Sequence, residues 1–173
     1  MGVQRATRRS RGIAVVSVER LREAAPLIIA HRGASGVAPE STRAALRAAA
    51  ASGARMVELD VQMTRDERLI IFHDDRLERT TNGAGRVRQT RYADLAALDA
   101  GAWFHRRFAG ERILLVSHAL RLLPQGMRVN LELKRGPQRT VLLRRLLRLL
   151  ARVPNRRHRL LLSSIDPELL RRL

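Results

Sequence analysis

The residues with chemistry to offer fall into four groups: His31-Arg32, Glu58 with Asp60, His73-Asp74, and Glu132 with Lys134. Glu58, Asp60 and Glu132 form a hard-oxygen donor set suited to Mg²⁺ or Ca²⁺, with water or a substrate phosphate filling the remaining positions. His31 and His73 beside such an ion can serve as acid and base near neutral pH. Arg32 and Lys134 have the charge to hold non-bridging phosphate oxygens and to counter the charge that accumulates in a transition state. Metal, acid, base and a cationic pair together indicate phosphoryl transfer. The chain has no cysteine, which excludes thiolate metal sites, cysteine nucleophiles and disulfide frameworks.

These residues need strands to bring them together, and the apolar pattern supplies candidates. Leu27 to Ala30, Met56 to Met63, Leu69 to Phe72, Val129 to Leu133 and Leu160 to Ser163 are predicted strands. Helices are predicted from Pro39 to about Ser52, with Ser41 as N-cap and Gly53 as stop, from about Val116 to Leu123, from Thr140 to Ala151, and onward from Pro167. Strands alternating with helices imply a parallel sheet with crossover connections. Residues two apart on a strand share a face, so Glu58 points with Asp60, and Glu132 with Lys134. Every group then sits at the C-terminal end of a strand, where parallel α/β folds place their active sites. Buried together, the carboxylates require a cation.

Residues from about 75 to 110 interrupt the alternation. Turn signals at Asn82-Gly83 and Gly85, and the cluster Tyr92, Leu95, Leu98, Trp103, Phe104 and Phe108, predict a compact insertion after the third strand. His105, His118 and His158 lie outside the constellation. The arginines at 144, 145, 148 and 152 form a solvated helix face.

The 173 residues suffice for one domain with its own core. Net charge is +18, from 34 basic and 16 acidic residues, and Lys134 is the single lysine. That skew toward arginine, beside heavy Ala and Leu usage, is what GC-rich coding produces, and the charge by itself identifies no substrate. An arginine-driven nucleic-acid binder is the alternative it raises; affinity lost near physiological salt would argue against it. Residues 1 to 25 are expected to be a poorly ordered basic leader. No apolar run reaches the ~18 residues that span a bilayer, and the cytoplasm is the expected compartment.

The segments IIAHRGASGVAPEST, MVELDVQMTRDERLIIFHDDRLERTTNGAG and VNLELK resemble, in order and spacing, the signature segments of the glycerophosphodiester phosphodiesterases; LDAGAWF and SSIDPELL match as well. The resemblance covers about residues 26 to 173. It implies a TIM-type (β/α)8 barrel related to phosphatidylinositol phospholipase C, incomplete here with about five strands, that hydrolyses glycerophosphodiesters to sn-glycerol 3-phosphate and an alcohol with a divalent cation. By position it also implies that His31 and His73 are the acid and base pair, that Glu58, Asp60 and Glu132 are metal ligands, and that Arg32 and Lys134 contact phosphate.

Ser41 departs from the family's usual Asn. Leu114-Leu115-Val116-Ser117-His118 replaces its usual Pro-Thr-Leu-Glu-Glu, which is expected to remove a polar segment near the mouth of the site. A sheet of five strands is expected to have open edges, with self-association or an inactive, ligand-binding relative as the alternative to turnover.

Overall fold

The longest strand organises the molecule because its alternation gives it two different faces. In β2 (Met56–Met63), Val57, Leu59, Val61 and Met63 face one side, Glu58, Asp60 and Gln62 the other, and all eight residues are buried. The computed structural model describes residues 27–153 and 159–171, so the expected basic leader lies outside the described residues. β1 (Ile29–His31) and β4 (Arg128–Leu133) pair with β2 on either side in parallel, and β5 (Leu160–Ser163) pairs in parallel with β4.

The expected third strand is present but runs the other way. β3 (Leu69–Ile71) pairs antiparallel with β2, Val61 opposite Ile71 and Met63 opposite Leu69. The connection from Thr64 to Arg68 is far shorter than the dozen or so residues a parallel crossover needs. It closes as a hairpin in which the Thr64 hydroxyl donates to Asp66 at 2.6 Å and Glu67 takes φ of 59°. The five-stranded sheet is therefore a parallel path β1-β2-β4-β5 with β3 off it.

The helices are α1 (Arg43–Ala51), α2 (Tyr92–Ala97), α3 (Val116–Leu122), α4 (Arg139–Ala151) and α5 (Pro167–Leu170). The main core joins Val57, Leu59, Val61, Leu131 and Leu133 of the sheet to Leu46, Leu120, Leu142, Leu146 and Leu169 of the helices. A second core beneath the 75–110 region joins Ile70, Phe72, Leu77, Val87, Leu95 and Ile113. Leu114, Leu115 and Val116 are built into these cores, with Leu115 bridging to Ile70. Apolar segments at that position are buried because they anchor the start of α3 to the hairpin. At the sheet's two edges, Ile29 and Leu161 remain 45% and 43% exposed.

The cap of α1 also differs from expectation. Thr42 is the N-cap: its hydroxyl accepts from the Ala45 amide at 3.4 Å and donates to the Pro39 carbonyl at 2.6 Å. Ser41 cannot cap because its backbone is left-handed, at φ of 59°.

Gly33 shows how tightly α1 holds the loop after β1. Its φ is +81°, and an added Cβ would lie 2.8 Å from the Ala45 Cβ and 2.9 Å from its carbonyl carbon. Both the dihedral and the helix backbone oppose any side chain. Gly33→Ala is expected to lower stability by about 2 to 3 kcal/mol in urea denaturation. A loss below about 0.5 kcal/mol, the range of an ordinary surface change, would show that this loop is not clamped.

Candidate active site

Parallel register builds the acidic centre. Asp60 of β2 lies opposite Glu132 of β4, and Glu58 lies opposite His31 of β1, so the strand ends deliver their polar side chains to one place. One ligand oxygen from each of Glu58, Asp60 and Glu132 falls within 4.8 Å of the other two. Glu58 is 6% exposed and Asp60 1%. Burial, and then the neighbouring Asp60 charge, push the Glu58 carboxyl up to about 7; the Arg32 amide, donating to it at 3.1 Å, works in the opposite direction.

Two buried carboxylate oxygens, Glu58 Oε1 and Asp60 Oδ2, accept no hydrogen bond. The Arg32 Nε lies 3.5 Å from Asp60 Oδ2 as an ion pair without hydrogen-bond alignment. Acceptors orphaned in this way are costly unless a cation meets them, and three carboxylates suit a hard divalent ion. The donor set therefore fits a divalent metal.

The two predicted cations stand at the same place. Lys134 Nζ donates to Asp60 at 3.1 Å and to Glu132 at 3.3 Å. Burial opposes its charge, but the two carboxylates more than offset that and raise its pKa. Arg32 has φ of 55°, which turns its side chain back over the sheet end, where Nη1 donates to Glu40 at 3.1 Å. Its carbonyl accepts from the Ser41 amide at 2.9 Å, closing the loop. The buried Ser41 hydroxyl makes no hydrogen bond.

His31 and His73 arrive by different routes. His31 ends the edge strand β1, with Nε2 3.7 Å from Glu58 Oε2 and its side chain 64% exposed. His73 descends from the hairpin: the Phe72 amide donates to the Asp60 carbonyl at 3.0 Å, which returns the chain to the level of the carboxylates. Its Nδ1 lies 2.5 Å from Asp74 Oδ1. Hydrogen bonds from Arg79 hold the Asp74 carboxyl down at about 2.

Residues that the sequence did not single out hold the His73 segment. Gln62 Nε2 lies 2.9, 3.0 and 2.7 Å from the carbonyls of Phe72, His73 and Asp74. Extending the alternation from Glu58 and Asp60 by one step finds it, since it shares their face. Glu40 and Arg79 pair across the loops at 2.7 and 3.0 Å, and no local pattern links positions so far apart in the chain.

An open, largely parallel sheet with helices on one face and its polar centre at the strand ends is the architecture of a TIM barrel, present here as a partial barrel. The chain belongs to the glycerophosphoryl diester phosphodiesterase family, which matches residues 31–173. A glycerophosphodiester phosphodiesterase of Caldanaerobacter subterraneus subsp. tengcongensis is 44% identical over 111 residues, 64% of this chain and 46% of that protein.

Among solved structures, a phosphodiesterase from Oleispira antarctica in complex with the product sn-glycerol-3-phosphate superposes with a TM-score of 0.77 at 39% identity, covering 82% of this chain and 58% of that one. A glycerophosphodiester phosphodiesterase from Agrobacterium tumefaciens gives 0.73 at 35% identity, covering 85% and 61%. The chain thus spans about half the length of the curated relatives it matches. Among the described residues, no helix is long and apolar enough to cross a membrane.

Proposed function

We propose that this chain hydrolyses glycerophosphodiesters to sn-glycerol 3-phosphate and an alcohol, with a divalent cation and histidine acid-base catalysis. The observation that carries the reading is the convergence of Glu58, Asp60 and Glu132, two of them with orphaned oxygens, beside Arg32 and Lys134 in a chain of this family. Mg²⁺ or Ca²⁺ held by the three carboxylates would supply Lewis-acid polarisation of a phosphoryl oxygen.

The chain's own groups do the rest. Arg32 and Lys134 each have N–H groups that can turn to the non-bridging oxygens of the phosphate and stabilise the charge built up there. Asp74, ionised, can only accept, so His73 donates from Nδ1 and keeps Nε2 for proton transfer. His73 takes the proton of the attacking hydroxyl as the new P–O bond forms. His31 gives a proton to the departing alcohol oxygen as the old P–O bond breaks. The attacking hydroxyl is that of water or of the substrate's own glycerol; in the second case a cyclic phosphate forms first, and water then attacks phosphorus, losing its proton to one histidine while the other protonates the ring oxygen as the ring P–O bond breaks. Analogues lacking the adjacent hydroxyl separate the two, since only the second route fails with them.

Incubation with glycerophosphocholine and Mg²⁺ or Ca²⁺ is expected to release glycerol 3-phosphate, and EDTA is expected to stop it. Release that persists unchanged in EDTA would remove the metal from the reading. A second reading is binding of metal and phosphate without turnover. It predicts cation binding by titration calorimetry with no product at high protein concentration.

A further inference from the structure

Between His73 and Arg32 runs a chain of alternating charges whose middle members, Arg79 and Glu40, have no part in the proposed reaction. Arg79 grips two carboxylates at once. Its Nε lies 2.5 Å from Asp74 Oδ2 and its Nη2 3.0 Å from Asp74 Oδ1; Nη1 and Nη2 lie 3.0 and 2.7 Å from the two oxygens of Glu40. Glu40 Oε1 also accepts from Arg32 Nη1 at 3.1 Å, and Arg32 Nε approaches Asp60 at 3.5 Å. Asp74 in turn meets His73 Nδ1. The sequence of contacts is therefore His73, Asp74, Arg79, Glu40, Arg32, Asp60. It spans the loop after β1 and the loop after β3.

An ordinary surface ion pair contributes little and fixes little, because two long side chains in water rarely share one geometry. This arrangement differs in three respects. Both contacts of Arg79 are two-pronged, which fixes the plane of each carboxylate. The Glu40 side chain is only 11% exposed and is held from both sides by guanidinium groups. At one end the carboxylate it orients is the partner of an imidazole nitrogen, and the orientation of that ring decides which nitrogen is free.

We propose that Arg79 and Glu40 are positioning residues: they hold Asp74 where it accepts the hydrogen bond of the His73 Nδ1–H, leave Nε2 free for proton transfer, and tie that ring to the Arg32 guanidinium. The consequence for turnover rests on the reading of His73 as the proton-transfer group. The consequence for the ring itself does not.

The test uses Arg79→Gln, Arg79→Lys and Glu40→Gln in the full chain. Long-range ¹H–¹⁵N spectra report which nitrogen of His73 carries the proton, the signal being assigned by its loss in His73→Gln. Wild type is expected to show one tautomer, protonated at Nδ1. Arg79→Gln is expected to show exchange between tautomers and a kcat for glycerophosphocholine lower by about 10- to 100-fold with KM little changed, the usual cost of removing an orienting partner. Glu40→Gln keeps size and shape and is expected to move both readouts the same way. Arg79→Lys is not expected to restore them, since an ammonium cannot fork onto two carboxylates.

Retention of the wild-type tautomer in both Arg79→Gln and Glu40→Gln overturns the proposal, and so does an altered tautomer at unchanged kcat. If the wild-type chain shows no turnover, the spectra alone decide this proposal, and the missing product counts against the function proposed above.

Discussion

Glu58→Gln is expected to abolish tight divalent-cation binding while making the cation-free protein more stable above pH 7. The two effects have one origin. In the unfolded chain this carboxyl ionises near 4.5, whereas burial and the adjacent Asp60 charge move it to about 7 in the folded protein. Between those values the native state keeps a proton that the unfolded state has lost. Stability is therefore full below about 4.5 and falls as pH rises through 7, by something on the order of 3 kcal/mol. A neutral amide of the same shape escapes that loss and can still accept from the Arg32 amide.

A cation reverses the balance, because it needs the carboxylate. Wild-type affinity for Mg²⁺ or Ca²⁺ should climb with pH and level off above about 7, with proton uptake by the buffer when binding occurs near pH 6. The Gln variant should bind more than about 100-fold more weakly, since removing a ligand costs more than removing its supporting partner. Titration calorimetry in two buffers and urea denaturation in EDTA at pH 4 and pH 8 read both predictions. Equal affinity in the variant, or a variant less stable than wild type at pH 8, would show that Glu58 is not a strained metal ligand.

The second large effect belongs to His73. His73→Ala should lower kcat for glycerophosphocholine by about 10²- to 10⁴-fold, the range for loss of a positioned acid or base. Cation affinity should be unaffected, because Glu58 and Asp60 stand on β2 and Glu132 and Lys134 at the end of β4, not on the segment after β3 that carries His73. The pH profile should also lose one limb. Product release within about tenfold of wild type would assign the proton transfer to another group.

Much of this arrangement could be read from local pattern. The alternation in Met56 to Met63 and Val129 to Leu133 placed Glu58, Asp60, Glu132 and Lys134 on one face, because side chains on a strand alternate irrespective of what surrounds it. The cap of α1 was misplaced by one residue, since the left-handed turn at Ser41 follows from its amide bonding to the Arg32 carbonyl, a contact across the loop. The direction of β3 was discernible in the short connection from Thr64 to Arg68, but strand-and-helix alternation pointed toward a parallel neighbour.

Composition and periodicity thus settled which side chains share a face, which elements form, and that oxygen and imidazole groups gather at strand ends. Folding settled which of them meet. Asp60 stands beside Glu132 because β2 and β4 pair in that register, His73 comes back to the carboxylates because a hairpin turns it round, and Glu40 reaches Arg79 because two loops close over the sheet. Backbone geometry governs the first set within a few residues of chain. Strand pairing and core packing govern the second over tens of residues, where neighbouring side chains along the chain carry no record of the partner.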